Sequence, residues 1–353
     1  MQEIYPKFYK EFKCLMGECP NTCCKGWGVD IDKDTLLRYK NINSPYGAKL
    51  KQILSNHKQF FKLGASCPFL NKEGLCDIEI NLGESYLCDV CRKFPRLTYT
   101  YGALCENALS CACIEASRLL LLKKVEFEMV ETDKRVTTYN TFDSKLFPYI
   151  QKCRNLIFNV LQSELNFDSK MQYVLDFGEY LQNNFRVYSK IDNIIESFEN
   201  KSQTYSAKFT DKLSIKTVEK VIKKYMSLKM LNPNLKDKLD ELLRLIYKKR
   251  ITKDDFVALI TGYRNIFEFN NILIYFIYKY FYRCVYDYKI FSRLQFAVYS
   301  TIVLIGLGVL DTYKNGYLTT DFNVKNLEMF AREIEHNEDS IKKLNKFYNK
   351  KTR

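Results

Sequence analysis

Cysteines are the residues of this sequence whose type and spacing indicate chemistry. The chain has 13 cysteines among 353 residues, and eleven of them lie between Cys14 and Cys113. Short loops between thiolates let several sulfurs converge on one metal centre. The clustering therefore predicts a metal or iron–sulfur site. The predicted ligands are Cys14, Cys19, Cys23, Cys24, Cys67, Cys76, Cys88, Cys91 and Cys113.

The spacing alone favours an iron–sulfur cluster and leaves zinc open. The two histidines, His57 and His336, lie outside the cysteine groups, which argues against mixed Cys/His zinc sites. The runs of bacterial ferredoxins and of radical S-adenosylmethionine enzymes are absent. Because Cys23 and Cys24 are adjacent, their side chains point in different directions, and we do not expect both to bind one iron. For any single cysteine, a buried core thiol is the alternative.

Two regions of different composition must position these thiols. Residues 1–122 hold eleven of the cysteines, whereas residues 123–353 hold only Cys153 and Cys284. Hydrophobic residues make up 46% of the chain, which excludes a disordered protein. We therefore predict a mainly α fold: a cysteine-rich, cluster-binding region over 1–122, packed against an irregular all-helical domain over 123–353.

Apolar spacing in the second region predicts helices. Residues from Leu146 to Val160 and from Leu235 to Ile246 repeat at steps of three and four. We predict that Asp143 or Ser144 caps the first helix and Asn234 the second. The apolar stretch 270–310 predicts two buried helices that meet near residues 288–292. The tail, residues 323–353, predicts one amphipathic helix.

The formal net charge of +14 does not by itself indicate nucleic acid. Most lysines alternate with apolar residues, as on the wet face of an amphipathic helix, and no dense basic stripe appears. A solvated surface is the favoured interpretation, followed by an acidic protein partner. The start of the chain lacks the apolar run of a signal peptide, and residues 296–310 are too few to cross a bilayer. We expect a cytoplasmic protein without membrane association.

The wording around the cysteines resembles a known family. FKCLMGECPNTCCKGWGVDID (12–32), CPFLNKEGLCDI (67–78), GESYLCDVCRKFPR (83–96) and CIEASRLLLL (113–122) resemble the FliB-type flagellin lysine-N-methylases. The first three are also similar to zinc- or iron-chelating cysteine-rich domains. The resemblance covers residues 8–122, and the helical remainder matches only loosely. Cys111 falls where the family more often has an apolar residue, and Ile114 replaces a proline.

The resemblance implies an enzyme that transfers methyl groups from S-adenosylmethionine to flagellin lysines and carries an iron–sulfur cluster, here expected as 4Fe–4S. No glycine-rich nucleotide loop is evident: Gly26 and Gly28 lie among the cysteines, and Gly306 and Gly308 lie in an apolar helix. The alternative function is a non-catalytic metal-binding or electron-transfer module with a helical interaction domain.

Six residues near the cysteines are candidates for the remaining chemistry. Trp27 is either a plug over the cluster or a stacking surface for adenine or sulfonium. Two arginines, Arg92 and Arg96, either balance the thiolate charge or hold the donor carboxylate. A lysine must lose its proton before it attacks a methyl group, so nearby carboxylates are candidate bases. These are Glu84, Glu106 and Glu115, each of which is otherwise a surface or capping residue.

Overall fold

A small four-stranded sheet pairs the first residues of the chain with residues 104–106 and 127–131. The computed structural model describes residues 1–26, 28–55, 66–133, 141–206, 213–230 and 232–349. The strands are β1 (Gln2–Pro6), β2 (Arg96–Tyr101), β3 (Leu104–Leu109) and β4 (Phe127–Glu131), in the order β2-β3-β1-β4. Strand β1 pairs parallel with β3 and antiparallel with β4, and β2 and β3 form an antiparallel hairpin. The sequence analysis did not predict this sheet, because its strands are only five or six residues long.

Short helices carry the cysteine-rich segment. They are α1 (Lys33–Lys40), α2 (Pro45–Ser55), α3 (Asp77–Leu82), α4 (Asp89–Lys93) and α5 (Ile114–Leu122). Asp32 caps α1, since its carboxylate accepts a hydrogen bond from the Thr35 backbone N–H at 2.8 Å. The same carboxylate accepts from the backbone N–H of Asp89 at 2.9 Å. One side chain therefore fixes the start of α1 and of α4.

Helices also form most of the described chain after residue 146, so the predicted mainly α class is confirmed. They are α6 (Phe147–Gln162), α7 (Phe167–Asn184), α8 (Tyr188–Ser202), α9 (Ile215–Met226), α10 (Pro233–Tyr247), α11 (Lys253–Thr261), α12 (Tyr263–Tyr280), α13 (Cys284–Asp287), α14 (Ile290–Asn315), α15 (Thr320–Ile334) and α16 (Glu338–Asn349). The N-cap residue of α6 is Leu146, so the predicted cap by Asp143 or Ser144 was wrong. The Asp143 carboxylate instead accepts a hydrogen bond from the backbone N–H of Leu146 at 2.9 Å, in the turn before the helix.

The central helix of the fold is α14. Its residues from Ile290 to Asp311 are all buried. In the part of the chain that the structure describes, α14 is the one helix long and apolar enough to span a membrane, and its apolar window is wholly inside the protein. The prediction of two buried helices is confirmed. The break between α12 and α14 contains Tyr288, whose φ of 56° is left-handed.

Two further local predictions were wrong. The tail forms two helices, because the chain breaks after Ile334 and the Asn337 side chain accepts from the Ser340 backbone N–H at the start of α16. At α10, the cap is Asn232 and not Asn234. The Asn232 side chain accepts a hydrogen bond from the backbone N–H of Asn234 at 2.9 Å, because Pro233 occupies the first helical position.

The buried hydrophobic residues of the described chain form two separate clusters. The smaller cluster consists of seven buried residues between Val29 and Cys88. The larger cluster joins the helices after residue 146 to the sheet, α5 and the buried rings of Phe8 and Phe12. These clusters do not follow the predicted boundary at residue 122, and the division into domains 1–122 and 123–353 stays a prediction.

Candidate thiol site and adjacent cavity

Helix α15 binds the first cysteine loop, which is defined here as residues 19–25. The Asn21 side-chain amide donates a hydrogen bond to the Glu328 carboxylate at 2.7 Å. The Arg332 guanidinium donates to the carbonyl oxygens of Thr22 at 2.9 Å and of Lys25 at 3.0 Å. Arg332 also pairs with Glu328 at 2.9 Å, one turn earlier on the same helix. Both side chains are buried, so α15 fixes the backbone on either side of Cys23 and Cys24.

Three of the predicted ligands occupy the position just before a helix. Cys76 precedes α3, Cys88 precedes α4 and Cys113 precedes α5. Each of these sulfurs accepts hydrogen bonds from backbone N–H groups in the first turn of its helix. These donors favour a thiolate over a thiol. Burial has the larger effect on Cys76 and Cys113, however: it raises the pKa of Cys76 and raises that of Cys113 to about 11.

The predicted ligands gather in two neighbouring sets. Within each set, every sulfur is near enough to another member for their charges to interact. The first set is Cys14, Cys19, Cys23 and Cys113. The second set is Cys24, Cys67, Cys76, Cys88 and Cys91. The two sets are joined by the adjacent residues Cys23 and Cys24, whose thiols are hydrogen-bonded to each other. The expectation that these two side chains point in different directions was therefore wrong.

Hydrogen bonds between thiols shift the acidity of two cysteines toward neutral pH. A hydrogen bond from Cys23 lowers the pKa of Cys24 to about 6, and one from Cys91 lowers the pKa of Cys88 to about 7. The pKa values of the two donor thiols are raised by the same bonds and by burial. Burial raises the pKa of Cys67 to about 12. In the second set, Cys24 and Cys88 are therefore readily ionised. In the first set, backbone N–H groups donate to the sulfur of Cys113.

The donor chemistry fits a soft metal, although the described residues do not contain a preformed site. Within the ranges that the structure describes, no three or more His, Cys, Asp or Glu side chains are arranged to hold a metal ion. All nine predicted ligands are thiols, which are the ligands of iron–sulfur clusters and of structural zinc. Ligation would replace the thiol–thiol hydrogen bonds of Cys23–Cys24 and Cys88–Cys91.

A cavity of about 950 Å³ lies on the other side of the C-terminal end of α15. Its walls come from β2, α12, α14 and α16 and from the break between α15 and α16. At its floor, the buried Glu335 carboxylate pairs with Lys279 and accepts hydrogen bonds from the hydroxyls of Tyr275 at 3.0 Å and Tyr280 at 2.8 Å. His336 contacts the Ser110 hydroxyl at 3.1 Å, which connects the cavity wall to the loop before Cys113.

Comparison with known proteins now identifies the family. The model of the FliB lysine N-methylase C-terminal domain matches residues 154–352, more than half of the chain. The chain belongs to the FliB lysine N-methylase family. The predicted FliB resemblance is confirmed, although the matched region begins after all nine predicted metal ligands.

Curated relatives of this FliB-family chain come from Salmonella. The lysine-N-methylase of Salmonella typhimurium is 30% identical over 210 residues, which are 53% of this chain and 48% of that protein. The lysine-N-methylase of Salmonella choleraesuis matches to the same extent. The flagellar biosynthetic protein FliU of Salmonella muenchen is 32% identical over 136 residues, 33% of this chain and 75% of FliU. The chain spans about half the length of the lysine-N-methylases it matches, and no solved structure matches it.

The two arginines of this FliB-family chain that were predicted to bind the methyl donor contact different residues. Arg92 is exposed and pairs with Asp89 at 2.5 Å. Arg96 donates to the Phe12 carbonyl at 3.3 Å and stacks on the Phe12 ring, with 5.1 Å between guanidinium and ring centre. Trp27 lies outside the described residues. The roles assigned to these three residues stay predictions.

The three candidate bases have different environments. Glu106 is fully buried on β3 and forms a two-pronged pair with Arg154 of α6; burial raises its pKa above the ordinary carboxyl value. Glu115 forms a two-pronged pair with Arg118 one turn along α5. Glu84 is exposed on a 3-10 helix between α3 and α4. The carboxylates of Glu106 and Glu115 are therefore engaged by arginines, whereas Glu84 is exposed to solvent four residues before Cys88 in the sequence. Their catalytic roles stay predictions.

Four cysteines outside the predicted ligand set are core residues. Cys105 and Cys111 are 3% and 1% exposed, and Cys153 and Cys284 are fully buried in the helical core. The family departure at Cys111 has a local explanation, since this thiol occupies an apolar position of the larger cluster.

The two residues of α15 that bind the first cysteine loop, Glu328 and Arg332, were not predicted from the sequence. Glu328 and Arg332 lie at i and i+4 on α15, a spacing that is typical of surface ion pairs. Both are buried because the cysteine loop covers them. The spacing was the only available signal, and it does not distinguish a covered pair from a solvated one.

Proposed function

We propose that this chain is a protein lysine N-methyltransferase that transfers methyl groups from S-adenosylmethionine to flagellin lysines and depends on a 4Fe–4S cluster. The observation that carries the proposal is its membership of the FliB lysine N-methylase family. The relatives named lysine-N-methylase and flagellar biosynthetic protein FliU support a flagellar protein as substrate and the cytoplasm as the place of action.

The cysteines of the two thiol sets are the proposed cluster ligands, with zinc as the alternative metal. Their support comes from the backbone donors at α3, α4 and α5 and from the hold of Arg332 on the loop around Cys23. When bound, a cluster with an open iron position would offer an anchor for the amino and carboxylate groups of the methyl donor.

The lysine of the substrate must be neutral before it reacts. Its ammonium form has no lone pair, so a base must first take one proton. The amine then forms a bond to the methyl carbon, the carbon–sulfur bond breaks, and S-adenosylhomocysteine leaves with the electron pair. Among the three candidate carboxylates, we propose Glu84 as the proton acceptor, because Glu106 and Glu115 are already paired with arginines.

The second candidate function is a non-catalytic metal-binding or electron-transfer module. One observation favours it: the glycines that would have to form a nucleotide loop have structural roles. A Cβ at Gly306 would approach Leu242 to 2.8 Å, and one at Gly308 would approach Leu259 to 3.1 Å. Both glycines allow close packing inside α14, as the sequence analysis predicted, and neither lies at a strand–helix turn.

The test is a methylation assay on protein purified without oxygen. Holo protein should be brown, contain iron, and add mass to unmodified flagellin in steps of about 14 Da in the presence of S-adenosylmethionine. The Cys88→Ser variant should lose both the iron and the activity, whereas Cys153→Ser, also a buried cysteine, should keep both. Stoichiometric zinc in colourless protein would rule out the proposed iron–sulfur cluster. Iron-loaded protein that neither methylates flagellin nor binds the donor would favour the non-catalytic module.

A further inference from the structure

The cavity next to α15 has more positive than negative charge in its walls. Six of its lining residues are lysines or arginines and two are acidic. Both acids already have cationic partners: Glu335 pairs with Lys279, and Asp287 pairs with Arg293 at 2.6 Å and with Lys289 at 3.8 Å. Two further lining cations, Arg283 and Lys346, form no ion pair with either acid.

Arg283 and Lys346 are cations without a carboxylate partner among the described residues. Arg283 is partly buried between two aromatic rings, with its guanidinium 5.3 Å from the centre of Tyr99 and 5.1 Å from that of Tyr280. This stacking orients the planar group, whose parallel N–H donors suit the oxygens of a phosphate. Lys346 projects from α16 on the opposite wall and is exposed.

Two buried polar atoms in the same walls have no hydrogen-bond partner among the residues that the structure describes. One is the Nε donor of Arg293 and the other is the Oδ1 acceptor of Asn345. Both residues are 8% exposed, so their polar atoms have lost water without gaining a protein partner. Leaving a buried donor or acceptor unpaired is unfavourable, and a ligand with both an anionic oxygen and a hydroxyl would satisfy both atoms.

We propose that this cavity binds a phosphate-bearing small molecule with hydroxyl groups, such as a nucleotide, between Arg283, Arg293 and α16. The volume of about 950 Å³ lies in the range of small-molecule sites and exceeds what a single phosphate ion fills. A substrate lysine and S-adenosylmethionine both carry net positive charge, so the unpaired cations disfavour them here. This inference does not depend on the proposed methyl transfer.

The test is calorimetric titration of the full-length, metal-loaded protein with ADP and, separately, with adenosine. ADP should bind with an affinity that falls as salt rises, and adenosine should bind at least tenfold more weakly because it lacks phosphates. Lys346→Gln should weaken ADP binding about tenfold, and Arg283→Gln should weaken it further. Lys343→Gln is the matched control, since Lys343 is exposed on the same helix but does not line the cavity.

Arg283 also packs against tyrosines, so its replacement can disturb the fold; Lys346 is at the surface and keeps the test valid. Equal ADP affinity in Lys346→Gln and Lys343→Gln would overturn the proposal. Equal binding of adenosine and ADP, or displacement of ADP by S-adenosylmethionine, would also overturn it. Binding of a hexaglutamate peptide without binding of ADP would overturn the small ligand in favour of an acidic protein segment.

Discussion

The first part of the cysteine-rich region, residues 14–91, differs in construction from the helical core around α14. Among the described residues of the first region, the longest helix is α2, with 11 residues, whereas α14 has 26. The small hydrophobic cluster of the first region has seven buried residues, and helices of this length are marginal without tertiary support. The helical core instead buries nearly every residue of α14. We therefore predict that the proposed metal stabilises the first region more than the second.

One helix connects the two regions. Helix α15 packs in the helical core through residues such as Leu327 and Phe330, and its Glu328 and Arg332 bind the first cysteine loop. The core is thus a platform on which the thiol loop is placed. Perturbations of the thiols should stay local, whereas perturbations of the core should reach the thiols through α15.

Metal removal should give the largest difference between the regions. Metal ligation by thiolates contributes on the order of 10 kcal/mol in small zinc domains, comparable with the whole stability of a protein domain. After chelation, residues 14–91 should be cleaved rapidly in limited proteolysis, while α12 and α14 remain protected. Equal protection of both regions in the presence and absence of metal would contradict this comparison.

Within the core, loss of the Arg154 side chain should have the next largest effect. Arg154 and Glu106 form an ion pair in which both side chains are almost completely buried. Arg154→Met leaves an unpaired buried carboxylate and should lower the free energy of unfolding by about 3–5 kcal/mol. Denaturant unfolding measures the loss.

The control for this variant is Lys152→Met on the same helix. Lys152 pairs with Asp192 at the surface, and its loss should leave the unfolding midpoint nearly unchanged. The double variant Arg154→Met/Glu106→Leu should recover part of the loss, because no charge is then left buried. Equal stability of Arg154→Met and Lys152→Met would show that the pair does not stabilise the core.

In the cysteine-rich region, Asp32→Ala should reduce stability by about 1–2 kcal/mol, because α1 loses its cap and the Asp89 backbone N–H loses its acceptor. The hydrogen bond from Asp89 is the main cause that lowers the pKa of Asp32 to about 2. The stabilisation is therefore complete above about pH 4 and disappears as pH falls toward 2.

Hydrogen exchange of α1 and α4 as a function of pH measures this effect. Asp34→Ala is the matched control, since Asp34 is exposed in the same first turn. If Asp32→Ala left the exchange of α4 unchanged, the link between the two helices would be wrong.

A pair of buried cysteines separates packing from ligation. Cys153→Ala in α6 should cost about 1 kcal/mol of stability through lost packing and leave the metal content unchanged. Cys88→Ala removes an equally buried thiol but should lose the metal. Metal analysis and thermal unfolding of both variants distinguish the two effects, and similar metal loss from both would remove the distinction between ligand and core thiols.

The smallest effect should be a pH dependence of the core from His336. Burial, and next the charge of Lys279, lower the pKa of His336 to about 4 from the ordinary 6.5. The unfolded chain then binds the proton more readily, so stability is complete above about pH 6.5 and decreases as pH falls toward 4. Part of the ring is exposed, so we expect a change below about 1 kcal/mol. His336→Gln should flatten the thermal stability profile over this window; an unchanged slope would assign the acid sensitivity to other groups.

Sequence alone determined the elements that depend on nearby residues. Apolar spacing located α6, α10 and the buried pair α12 and α14, because a helix buries a face that repeats every three or four positions. Spacing and residue type also predicted the nine thiols as one metal-binding group, which stays a prediction, and family membership confirmed the resemblance that their surroundings indicated.

Only the tertiary structure decided which distant residues meet. Strand β1 pairs with β3 about 100 positions away, and no local pattern specifies such a partner. The same holds for Arg332, which is 310 positions from the Thr22 carbonyl that it binds, and for the cavity, whose cations come from separate helices. Local periodicity fixes which face of a helix is buried, but the identity of the covering segment depends on how the whole chain packs.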